Sequence, residues 1–89
     1  MWQKNNNQLQ RQLVFKDFTE AFAFMTEVAM IAEKQSHHPK WTNFWNKIDI
    51  SLSTPDAGNI VTNKDRELAE AIDRVYEKYN RDSRRKIRA

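Results

Sequence analysis

"LQRQLVFKDFTEAFAFMTEV", Leu9 to Val28, changes its period in the middle. In the first half Leu9, Arg11, Leu13 and Phe15 fall on one side of an extended chain and Gln10 and Gln12 on the other, the period of two of a half-buried strand. In the second half apolar residues recur at Phe18, Ala21, Phe22, Met25, Val28, Ala29 and Ala32. Those spacings of three and four draw one stripe along a helix of about four turns. Asp17 stands between the halves as an N-cap, and Glu20, three residues on, completes a capping-box-like pair. Phe24 and Ile31 lie on the helix flank, as edge-of-core residues or as part of an oligomer contact.

Upstream, Asn5 to Asn7 is a predicted hairpin turn, since asparagine tolerates positive φ better than most residues; Trp2 to Lys4 is then the partner strand. Downstream, Pro39 stops the helix, because the residue before a proline is driven out of the α region. Ile48, Ile50 and Leu52 alternate with Asp49, Ser51 and Ser53 as a second half-buried strand. A short strand around Asn43 to Trp45 precedes it, with a tight turn at Asn46-Lys47. "TPDAGN", Thr54 to Asn59, is a loop, and Thr62 with Asp65 opens a second helix striped by Leu68, Ala69, Ile72, Val75, Tyr76 and Tyr79. The order β-β-α-β-β-α predicts an α+β fold, a four-stranded antiparallel sheet of two hairpins with two long amphipathic helices packed on one face.

A single domain is expected over residues 1–80, followed by a basic tail at 81–89. The formal charge of +3 comes from the tail: it holds five basic residues against one acid, while the rest of the chain, with ten against eleven, is slightly acidic. A solvated terminus is expected there, and nucleic acid is not an expected partner. There is no cysteine, hence no disulfide framework and no thiolate metal site. No apolar run approaches the ~20 residues of a membrane span. The first residues lack the apolar core of a signal peptide, so a cytoplasmic setting is expected.

The two histidines are adjacent, in "EKQSHHPKW", Glu33 to Trp41. At a helix end they could bond the last carbonyls, favoured by the dipole. As ligands of a catalytic zinc they would need a third protein ligand, and the chain has neither a third histidine nor a cysteine. As acid and base they suit neutral pH, with a free imidazole pKa of about 6.5. Glu33 and His37, four apart, share a helix face if the helix runs that far. No Ser-His-Asp set and no Gly-rich phosphate loop is discernible.

These residues belong to a wider pattern: "LQRQLVFKDFTEAFAFMTEVAMIAEK", "HHPKWTNFWNKIDISLST", then "DAG", then Thr62, Asp65, Leu68, Ala69, Ile72 and Asp73. Over nearly its whole length the sequence resembles the pterin-4a-carbinolamine dehydratases, whose motif is matched by Glu33, His37, His38, Pro39, Trp45 and Asp65. One position departs: where the family carries a histidine ahead of Asp-Ala-Gly, this chain has Pro55.

The resemblance implies loss of water from a 4a-hydroxytetrahydropterin to give a quinonoid dihydropterin, with no metal and no cofactor. It makes His37 and His38 the proton-transfer pair, with either as acid or base, and has Glu33 orient or charge-balance His37. Ser36 and the segment Ser53, Thr54, Pro55 and Asp56 correspond to the family's pterin contacts. Trp2, Trp41 and Trp45 are candidate flat walls for the ring, Trp41 equally a core residue, and Asp65 is read as the capping acid of the second helix. In the family the third histidine shares the proton transfer, so Pro55 implies weakened turnover. The alternative is a non-catalytic pterin-binding or protein-interaction module, since the family includes a dimerization cofactor of a homeodomain transcription factor. A homodimer or tetramer is also implied, and small size with bare sheet edges points the same way.

Overall fold

The computed structural model describes residues 1–88, with side chains as far as Tyr79. Six main elements follow in order: β1 Gln3–Asn5, β2 Gln8–Val14, α1 Phe18–Gln35, β3 Lys40–Phe44, β4 Lys47–Leu52 and α2 Asn63–Arg88, with a 3-10 turn at Pro55–Ala57. The four strands form one antiparallel sheet in the order β1-β2-β4-β3. The α+β architecture is therefore the one the periodicities predict. The side chains of 81–89, the expected tail, lie outside the described residues.

Register explains the layers. In the central pair Leu9 faces Leu52 and Leu13 faces Ile48, all buried, while Gln12 faces Asp49 on the polar side and donates to it at 3.0 Å. Leu68, Ile72 and Val75 of α2 and Ala21, Phe24, Val28 and Ala32 of α1 close over the apolar side in one core cluster. No helix among the described residues is long and apolar enough to cross a membrane.

Three local expectations are corrected. The core stripe of α1 is rotated: Phe24, expected on the flank, is fully buried, and Phe18 and Phe22 are about half exposed. The cause is an aromatic cluster in which the Phe24 ring lies 4.9 Å from Phe15 and meets the edges of Tyr76 and Tyr79 at 6.3 and 6.1 Å. The β3–β4 turn sits one residue earlier than expected, at Trp45-Asn46, and β3 starts at Lys40. Asn43 sets it by donating to the carbonyls of both Trp45 and Lys47, which leaves Trp45 at a φ of 53°. The first hairpin turns on Asn6 and Asn7 alone, both at positive φ, so Asn5 closes β1. The α1 cap is as expected: the Asp17 carboxylate accepts the Glu20 N–H at 2.8 Å.

Candidate active site

Helix α1 ends in a Schellman motif. Ser36 takes the left-handed conformation at φ 52°, its N–H bonds the Glu33 carbonyl, and the His37 N–H bonds the Ala32 carbonyl at 3.1 Å. The last carbonyls are thus satisfied by the backbone, which leaves both imidazoles free for other partners. The turn sends the chain off the helix axis, and Pro39 keeps it extended into β3.

His37 folds inward. It is 7% exposed, and its Nε2 lies 2.6 Å from Oδ1 of Asp65, which is fully buried. The other Asp65 oxygen accepts the Thr62 N–H and the Thr54 hydroxyl, each at 2.8 Å. Thr54 has one hydroxyl proton and gives it to Asp65, so in the 2.6 Å contact between the two threonines Thr62 is the donor. Burial alone would push the Asp65 carboxyl up. The hydrogen bonds from His37, Thr62 and Thr54, with the nearby imidazole charge, outweigh it and hold the group below the ordinary carboxylate value. An ionised Asp65 only accepts, so Nε2 of His37 carries a proton and its neutral form keeps the lone pair on Nδ1. Nδ1 has no protein partner and is not sealed in, since the only buried orphan side-chain polar atom among the described residues is Oδ1 of Asn46.

His38 turns outward. Its side chain is 65% exposed and its Nε2 lies 2.9 Å from Oε1 of Glu33, itself 81% exposed. The pairing expected between Glu33 and His37 is therefore corrected: the helix ends before the i, i+4 geometry is reached, and the buried acid Asp65 takes His37 instead. Asp65 does cap the start of α2 through the Thr62 N–H, but it serves His37 with its second oxygen. The capping spacing hid that role in the sequence.

Both imidazoles line one cleft of about 450 Å³. Ser36, Ser53, Thr54, Pro55 and Asp56 line it as well, so the expected contact segments come together. Thr54 is buried and spent on Asp65, while Pro55 opens the 3-10 turn at its first position, where a missing N–H costs no hydrogen bond. Gln8, Ser51, Asn59, Lys40 and Lys64 complete the lining and were not singled out from sequence. The three tryptophans stand elsewhere. Trp2 gives its indole N–H to Asp73 at 2.8 Å beside Arg11, Trp41 packs on the core opposite Ile50, and Trp45 is exposed at the far end of β4. No described phenylalanine, tyrosine or tryptophan lines the cleft.

One imidazole fixed on a buried carboxylate and a second open to solvent, in one polar cleft, are an arrangement chemically able to take and return protons. The family model described as pterin 4 alpha carbinolamine dehydratase matches residues 1–75. A chain from Prochlorococcus marinus strain MIT 9515, provisionally named a pterin-4-alpha-carbinolamine dehydratase, is 48% identical over 77 residues, which cover 86% of this chain and 79% of that one. One of the same name from Rhizorhabdus wittichii is 51% identical over 69 residues, 78% and 70% of the two chains. Among solved structures, a transcriptional coactivator/pterin dehydratase from Brucella melitensis superposes with a TM-score of 0.80 at 39% identity over 84% of this chain and 81% of its own. A pterin dehydratase-like RuBisCO assembly factor of the alpha-carboxysome shares the fold alone, with a TM-score of 0.69 at 18% identity over 85% and 87%. The chain belongs to the pterin 4 alpha carbinolamine dehydratase family.

Proposed function

We propose that this chain dehydrates a 4a-hydroxytetrahydropterin by paired imidazole catalysis. The observation that carries the reading is the joint presence of His37, fixed by Asp65, and His38, open to solvent, in one cleft. The C4a–O bond breaks as the hydroxyl takes a proton and leaves as water. The N5–H bond gives its electron pair to a new N5=C4a double bond, and its proton goes to a base. His37 suits the base: it presents Nδ1, and Asp65 stabilises the imidazolium that forms. His38 suits the acid, because its exposure lets it be reprotonated from water. The reaction closes without metal or resident cofactor.

A dehydration assay on a 4a-hydroxytetrahydropterin tests it. Acceleration over the spontaneous rate, lost in His37→Ala, is the expected result; a rate equal to the spontaneous one overturns the catalytic reading. Pro55 favours a second reading, a pterin-binding or protein-interaction module with slow or no turnover, since the family's third imidazole is missing from the cleft wall. Binding of a reduced pterin without turnover would support it.

We further propose assembly as a homodimer or tetramer. Strand β3 is a bare sheet edge, and Phe18, Phe22, Phe44 and Trp45 are 49, 52, 79 and 60% exposed. A monomer by light scattering at micromolar concentration would overturn this.

A further inference from the structure

We propose that the cleft selects a pterin whose ring substituent is anionic, carrying a phosphate or carboxylate, and that Lys40 and Lys64 hold that group. The proposal rests on the dehydratase reading and names the substrate class for it. Lys40 opens β3 and Lys64 lies in the first turn of α2, so the two cations enter one cleft from different elements. Neither is used by the protein. The ion pairs Arg11–Asp73, Lys78–Glu27 and those of the two histidines involve neither lysine, and Lys40 and Lys64 have no carboxylate among the described residues in reach. The described lining sets these two cations against one carboxylate, Asp56.

That imbalance discriminates between occupants. A neutral substituent would cover the lysines and strip their water without replacing it, which costs free energy. An oxyanion would replace the water with charge-assisted hydrogen bonds. The substituent lies off the reacting C4a–N5 edge and its charge is the same before and after water is lost. The lysines therefore act on substrate binding and not on the chemical step.

The test compares 4a-hydroxytetrahydropterins bearing a neutral dihydroxypropyl chain, its phosphate ester or a carboxylate, in kcat/KM. The stable 7,8-dihydropterins with the same chains are compared in direct binding, and inorganic phosphate serves as competitor. Expected is a preference of about tenfold or more for the anionic forms, seated in KM, weakening with added salt. In the double variant Lys40→Gln, Lys64→Gln the ratio of anionic to neutral kcat/KM should fall toward one. Equal kcat/KM for neutral and anionic pterins, with turnover intact, would overturn the proposal and leave the dehydratase reading standing. Phosphate bound as tightly as the phosphorylated pterin, with no turnover of any pterin, would uphold the lysines as an anion site and overturn the dehydratase reading. A preference that survives the double variant would remove the lysines from the role.

Discussion

His37 and His38 are neighbours in sequence, and each rests on a carboxylate, at 2.6 and 2.9 Å. The resemblance ends there. His37 and Asp65 are 7 and 0% exposed, and the acid's remaining oxygen is saturated by two further donors. His38 and Glu33 are 65 and 81% exposed and have only each other. A distance alone does not weigh an interaction. Water screens the outer pair almost to nothing, whereas the inner pair has no water to fall back on, so removing one partner strands the other.

The largest expected effect separates the two. His37→Ala should cut the dehydration rate by about 10²-fold or more, the scale of general acid–base catalysis. It should also cost about 3 kcal/mol of stability by stranding buried Asp65, read from the urea midpoint. His38→Ala should lose rate on the same scale, yet shift the unfolding free energy by no more than about 0.5 kcal/mol. Equal stability losses in the two variants would break the comparison.

Acid titration sharpens it. The folded Asp65 carboxyl lies below its unfolded value of about 3.9. Its contribution is therefore complete above that value and is lost as pH falls through the folded pKa. Unfolding free energy measured from pH 7 down to pH 2 should fall less steeply at the acid end in Asp65→Asn than in wild type. An unchanged acid limb would remove Asp65 as its source.

Next comes the wall between floor and rim. Pro55→His should raise the dehydration rate by about tenfold if a third imidazole shares the proton traffic. The start of the 3-10 turn accepts the change, because no hydrogen bond depends on proline there. Pro55→Ala should not raise the rate, and a wild-type rate already matched by Pro55→His would show that Pro55 is no handicap. The smallest effect belongs to Glu33→Gln, whose stability change should stay under about 0.5 kcal/mol, again by urea unfolding.

The strands, the Asp17 cap and the two hairpins were legible because alternation, capping and turn chemistry are local. The rotation of α1 was not. Apolar residues cover more than half its circumference, so the face that packs is chosen by Phe15, Tyr76 and Tyr79, which come from other elements. At the site, the histidine pair and the segment from Ser53 to Asp56 were readable from the motif. The partner of His37 was not, because Thr62 and Asp65 carry a helix-start spacing that accounts for the acid without any imidazole. Trp2 misled for a related reason: an indole is attractive as a ring wall, but Trp2 needed an acceptor for its N–H and found Asp73 on α2.

His37 leaves the end of α1 and Asp65 belongs to the start of α2, 28 residues further along the chain. Neither helix can build the floor of the cleft alone. On the proposed mechanism catalytic competence is consequently a report on tertiary docking: a partly folded form that keeps both helices but separates them would lose the base, even while its circular dichroism looked native. Loosening a core contact such as Ile72, remote from any substrate, would then register in the assay before it registered in helix content.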